Sequence, residues 1–199
     1  LKWCLGEYAR KGVGAVEITP IYGVQGNEAN DIPFLSPKWM EMLSVVEQEN
    51  STLDIETGMA TGTGWPFGGP WVPIDEAACK AFAVDTIVNS SVVIDNIEFP
   101  IPQKEKNFAK LKVVRSFPVE GQNDRQRVIA LFESRTRQKV KRAAPGGEGY
   151  VIDHFDSTAV ANYLSHISEA FEKNNTPFPH TFFNDSYEVY GANWTPTLF

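Results

Sequence analysis

The chain has 199 residues, 42% of them hydrophobic and 22% charged, a composition that argues against disorder and allows one or two compact domains. Eighteen Lys and Arg against 25 Asp and Glu leave a formal net charge of -7, which repels phosphate backbones and speaks against a nucleic-acid partner. No uninterrupted apolar run approaches the roughly 20 residues that cross a bilayer, and the first residues carry no secretion signal. Cys4 and Cys79 have neither a metal-finger spacing nor a disulfide framework, and are expected as two partly buried thiols. The sequence starts abruptly at Leu1 and stops at "TPTLF" without a polar tail, so it is expected to be a piece of a longer protein.

After a basic helical approach, Val13 to Ile21 is a glycine-bounded apolar run, the signature of a strand buried on both faces. "SPKWMEMLSVVEQEN" predicts a helix: Ser36 can cap it, Pro37 suits its first position, and Trp39, Met42, Leu43 and Val46 recur at helical spacing. "TLDIETGMATGTG" predicts a second strand that runs into the glycine-rich loop "GTGWPFGGPWVP". Strand, helix, strand implies a parallel pair joined by a crossover.

Between about Ala78 and Gly149 the pattern changes to β-branched and aromatic runs separated by turns, the mark of a small antiparallel insertion. Basic "RTRQKVKR", Arg135 to Arg142, is expected as the solvated face of a hairpin strand. Asp156 or Ser157 can cap the next helix, whose stripe is Val160, Tyr163, Leu164, Ile167 and Phe171, and "HTFFNDSYEVYG" gives a third parallel strand. The expected fold is therefore α/β, a partial (β/α)8 barrel of the TIM type with an antiparallel β insertion. Its parts are 1–77 (first βα units), 78–149 (insertion) and 150–199 (a further helix and strand). A closed barrel takes about 250 residues, so closure is not expected.

In parallel α/β folds the working face lies beyond the carboxyl ends of the strands. Glu17, Thr19, Tyr22 and Gln25 follow the first strand; Thr61, Thr63, Trp65 and Trp71 follow the second; Asn184, Asp185, Glu188, Tyr190, Asn193 and Trp194 follow the third. Acids, amides and aromatics together suit a sugar, whose hydroxyls need fixed donors and acceptors and whose apolar ring face needs a flat wall. Glycosidic cleavage also needs two carboxyl groups, for which Glu188 is the first candidate and Asp185 the second. The bland alternative for each acid is a helix cap or a partner for a nearby base. Glu17, inside an apolar run, is either a site residue or half of a buried salt bridge.

Trp65 and Trp71 are sugar platforms or packing under a loop whose glycines allow tight turns. That loop lacks the GxGxxG spacing and the Lys of a phosphate cradle. His154 and Asp156 in "DHFD" are too few for a metal site, and a helix-entry cap is the safer assignment.

In order along the chain, "GVGAVEITPIYG", "IPFLSPKWMEML", "DIETGMATGTGWPFGGPWV", "VKRAAPGGEGYVIDHFD" and "FFNDSYEVYGANWTP" resemble segments of the large bacterial α-L-rhamnosidases, glycoside hydrolase family 106. The longest phrases, "MATGTGWPFGGPW" and "NDSYEVYGANW", carry most of the resemblance. It implies a (β/α)8 catalytic domain that hydrolyses terminal α-L-rhamnosyl linkages with inversion, assisted by calcium. It also implies a rhamnose-containing oligosaccharide as substrate and a periplasmic or secreted parent protein. Carried onto this chain, it places Glu188 as the general acid, with Asp185 and Asn184 beside it in contact with the sugar or the ion; the strand-end reading itself offers Glu17, Trp65 and Trp194 as sugar contacts. The insertion is shorter than the resemblance leads one to expect, and the second carboxyl group is expected from a later strand. The isolated chain is then expected to be inactive and prone to self-association. The competing expectation is a non-catalytic carbohydrate-binding or structural remnant. A glycosidase for uronic acids, which would place arginines at the site mouth, is the third; Arg10 and Arg115 do not meet that need.

Overall fold

A computed structural model describes residues 1–184 and 186–198. In chain order the elements are α1 (Lys2–Arg10), β1 (Ala15–Ile18), α2 (Pro37–Leu53), β2 (Glu56–Ala60), β3 (Gly68–Gly69), β4 (Cys79–Asn89), β5 (Lys110–Val119), β6 (Gln122–Arg135), β7 (Tyr150–Val151), α3 (Ser157–Lys173) and β8 (Thr181–Phe183). They fall into two compact units, one of Leu1–Ala77 with Arg137–Val189, the other of Ala78–Thr136 with Tyr190–Phe199.

In the first unit β1, β2 and β8 form a parallel sheet in the order β1-β2-β8, with Val16 opposite Thr57 and Gly58 opposite Thr181. Ser36 caps α2, its Oγ accepting the Trp39 N–H at 3.2 Å, and Pro37 occupies the first turn, where no donor is needed. On α3 the Asp156 carboxylate accepts from Thr158 and Ala159, and Ala159, Tyr163, Ile167 and Phe171 recur every fourth residue as its buried stripe. Met40 and Leu43 of α2, Met59 of β2, and Tyr163, Ile167 and Phe171 of α3 share one core with Phe34, Phe67 and Ile152. Burying such side chains contributes about 1.5–3 kcal/mol each.

The glycine-rich segment after β2 is part of this core. Gly68 and Gly69 pair antiparallel with Val151 and Tyr150. A Cβ on Gly149 would stand 1.8 Å from the Gly69 carbonyl oxygen, so only glycine allows that approach.

The second unit is an antiparallel sheet ordered β4-β6-β5, with Phe82 opposite Phe132 and Val84 opposite Ala130. Phe82 and Phe132 stack at 5.6 Å, and Phe99 meets Phe132 edge-on. Beside them Glu105, 2% exposed, receives the Lys80 ammonium at 2.7 Å and the Ser134 hydroxyl at 2.8 Å, which offsets the cost of burying a carboxylate. Asn193 clamps the β4 backbone with both side-chain atoms, accepting from Ala81 N–H and donating to Ala81 C=O.

The partial (β/α)8 barrel is not what the chain forms. Among the described residues there are three α-helices and several small sheets, the longest strands (β4 and β6) lie in the antiparallel sheet, and no barrel closes. The parallel sheet stops at three strands because β1 and β8 each pair on one side only among the described residues. β1 is also shorter and more open than its apolar run suggests: it spans four residues, and Ala15 and Glu17 face solvent. A strand at a sheet edge need not be covered on both faces, which is why Glu17 is no buried acid. The basic run differs too. β6 ends at Arg135, and residues 137–142 leave that hairpin to fold within the first unit.

Candidate functional site

β2 and β8 are parallel neighbours, so their carboxyl ends release the chain side by side, and Thr61 N–H still donates to Phe183 C=O at 3.4 Å just past them. From β2 the backbone runs through buried Thr63, whose hydroxyl donates to Gly147 C=O at 2.7 Å, to Trp65. From β8 it runs through two local turns: Asn184 Oδ1 accepts the Ser186 N–H at 3.1 Å, and Ser186 Oγ accepts the Glu188 N–H at 3.3 Å. Trp65, Ser186, Tyr187 and Glu188 then line an open pocket of about 390 Å³.

The 137–142 segment supports both arms of this pocket. Trp65 and Lys141 form an antiparallel bridge, with N–H to C=O distances of 3.2 and 2.9 Å. Gln138 donates to the Glu188 carbonyl at 2.9 Å, and Lys141 Nζ stands 3.6 Å from Glu188 Oε2. The Arg142 guanidinium lies over two rings, 5.4 Å from Tyr22 and 5.7 Å from Trp65. Behind the pocket the His154 ring meets Tyr187 edge-on at 5.0 Å, with Nε2 buried and unpartnered. Burial holds the His154 pKa below the ordinary histidine range, with a hydrogen bond to Ile152 acting the other way.

Of the residues singled out in the sequence, Glu188 and Trp65 meet in this pocket and Asn184 shapes the turn that leads to it. Asp185 lies outside the described residues. Glu17 points from the exposed edge strand and accepts the Thr19 hydroxyl at 2.9 Å. Trp194 belongs to the second unit, where its indole N–H donates to Glu133 at 3.2 Å. Trp71 is core, stacked 4.3 Å from His166 and tilted against Tyr163, so of the two tryptophans only Trp65 reaches the pocket. Asp156 is the helix cap and His154 is not. Cys4 is exposed and Cys79 buried.

Lys141 and Arg142 were expected only on a solvated strand face, and Tyr187 was not singled out. The signal for the two bases was five cations and no acid between Arg135 and Arg142 in a chain of net charge -7. A calcium ion takes six to eight oxygen ligands, commonly several carboxylates. Among the described residues no three His, Cys, Asp or Glu side chains converge to hold an ion, so the described residues do not fit that group.

No protein-family profile matches the chain, and no curated protein matches it in sequence. A solved structure of a rhamnosidase from Novosphingobium sp. PP1Y shares its fold, with a TM-score of 0.65 at 13% identity. The likeness covers 98% of this chain and 38% of that one. The chain thus spans well under half the length of the structure it matches.

Proposed function

We propose that this chain is part of a glycoside hydrolase that removes terminal α-L-rhamnosyl units with inversion, in a periplasmic or secreted parent protein. The observation that carries the proposal is the pocket of Trp65, Ser186, Tyr187 and Glu188 beyond the adjacent ends of β2 and β8, in a fold shared with part of a rhamnosidase. Trp65 and Tyr187 offer aromatic surface to the apolar face of a sugar ring, and Ser186 offers a hydroxyl to its polar edge. The Glu188 carboxyl group donates a proton to the glycosidic oxygen as the bond from that oxygen to the anomeric carbon breaks. Water adds to the opposite face of that carbon and gives its proton to a second carboxylate, which yields the inverted sugar. Inversion separates the two carboxyl groups by about 6.5–9.5 Å. The proposal takes the second from polypeptide outside the 38% of the rhamnosidase that this chain covers. No step runs through calcium.

The Lys141 contact favours one rival, a carbohydrate-binding remnant in which Glu188 is only an ion-pair partner. Glu188→Gln in the complete parent enzyme separates the two, with hydrolysis of an aryl α-L-rhamnoside as the readout. The proposal expects kcat to fall by about 10²-fold or more, the scale of a lost general acid, while rhamnose binding measured by calorimetry persists. Unchanged turnover would remove Glu188 from the chemistry.

A further inference from the structure

One edge of the antiparallel sheet is defended and the other is not. Among the described residues β5 and β4 are its two edge strands. β5 carries Lys110, Lys112 and Pro118, and its pairing with β6 shifts register twice. Lysines, prolines and bulges are what keep an edge from taking up another chain. β4 pairs with β6 over 11 residues without a shift, and its residues 83–89 hold neither Pro nor Lys. At both ends of this ladder even-numbered residues bond to β6: Thr136 N–H donates to Ala78 C=O and Ser90 N–H to Asp124 C=O, each at 2.8 Å. With bonded and unbonded pairs alternating, Ala83, Asp85 and Ile87 turn their N–H and C=O away from β6. Among the described residues nothing pairs with those groups. Ala81, earlier in the same series, shows how they are met. Asn193 accepts its N–H at 2.7 Å and donates to its C=O at 3.2 Å, while Trp194 bridges Cys79 antiparallel. An extended segment is thus already seated at one end of this edge.

Beside the open stretch lies a cavity of about 450 Å³, lined by Phe82, Ala83, Val84 and Asp85 of β4 and by Pro100 and Pro102 of the strap that leads to β5. The strap cannot close the edge itself. Pro100 and Pro102 have no N–H, and the Ile101 N–H is taken by Phe99 C=O at 2.8 Å. We propose that β4 is a docking edge for a separate protein partner, whose extended segment adds antiparallel along residues 83–89 as a fourth strand. The pleat sets the chemistry of that segment. Residues opposite Val84 and Thr86 share the face of Phe82 and enter the cavity, so they are aliphatic. The residue opposite Asp85 is a cation. Asp85 is the one charge in residues 83–89; Arg127 engages its Oδ2, through Nε at 2.7 Å and Nη2 at 2.6 Å, and its side chain is still 50% exposed. A second copy of β4 is the poorer occupant, because it brings Asp85 again and no cation to meet it.

The test is titration of this chain with the peptide acetyl-Thr-Val-Thr-Val-Lys-Val-Thr-amide, followed by calorimetry and by backbone amide shifts. In antiparallel register its Lys stands opposite Asp85 and its Val residues opposite Val84, Thr86 and Val88. Saturable binding is expected, with the shifts centred on Ala83, Asp85 and Ile87. Methylating the peptide nitrogens of the Lys and of the Thr opposite Ile87 removes two donors that face β4, and should lower the affinity about tenfold or more. Glu in place of the Lys should lower it about threefold or more. Ala83→Pro removes an outward N–H at an edge position, where proline is tolerated, and should weaken binding about as far as methylation does. The methylated peptide makes the same test on the wild-type chain should that variant not fold. Absence of saturable binding overturns the proposal. So does binding that methylation leaves intact, or shifts that fall on β5 instead of β4. Protection of the Ala83, Asp85 and Ile87 amides from exchange in the peptide-free chain, growing with its concentration, would assign the edge to a second copy and overturn the separate partner.

Discussion

His154 stands where a titration can be felt at the pocket. Its ring packs on Tyr187, and burial keeps its pKa low, so the folded chain prefers the neutral imidazole. The unfolded chain takes up a proton near pH 6.5, the folded chain only at lower pH; stability is therefore full above about 6.5 and falls as the solution is acidified. Thermal unfolding between about pH 7.5 and pH 5 is expected to show a drop in Tm that His154→Phe, which keeps the aromatic contact, makes smaller. An identical pH profile for the two proteins would mean that His154 is not the source. At this scale Trp65 and Glu188 could be singled out from the sequence because both follow runs that read as strands, and the structure brings the two to one pocket. The sequence hid Arg142, whose place depends on a left-handed backbone and on a bridge between residues 65 and 141, and neither leaves a local pattern.

The helices were legible because their ends are written in side chains: Ser36 and Pro37 begin α2, and Asp156 begins α3. What a helix packs against is less so, and Glu47 shows this. On α2 its Oε1 is buried with no hydrogen-bond partner, and desolvation raises its pKa, partly countered by Thr57. A carboxyl group raised in the folded state favours folding below its unfolded pKa of about 4.3 and works against it as pH rises through the folded value. Glu47→Gln is thus expected to raise Tm at pH 7, with the gain vanishing near pH 4; a loss of stability at pH 7 would contradict this. Tyr163 ties α3 to the glycine-rich segment, its hydroxyl 2.8 Å from Thr61 C=O and 3.2 Å from Gly68 C=O. Tyr163→Phe leaves those buried carbonyls short of a donor, at a cost of about 1–3 kcal/mol. It should lower the urea midpoint with an unchanged m value. An unshifted midpoint would mean that other donors reach both carbonyls.

For the whole chain, the sequence displayed the βα order but not how far the parallel sheet extends, since pairing partners depend on contacts distant in sequence. That is why, among the described residues, three parallel strands end in two open edges where part of a barrel was expected. The β8 edge also carries apolar surface: Phe178 is 51% and Phe182 40% exposed, and both lean on buried Phe171. Unpaired strand edges beside exposed aromatics are templates for another chain, and no Pro or Lys within β8 blunts this one. Sedimentation of this chain is expected to show association that grows with concentration. Phe178→Lys puts a charge at that surface while its alkyl stem still covers Phe171, and it should shift the chain toward monomer without loss of helical signal. A wild-type chain that stays strictly monomeric across the range would show that the edge is protected by its own twist or brevity. Association that persists in Phe178→Lys would move the contact away from β8, leaving β1, where Ala15 and Glu17 face solvent, as the edge to alter next.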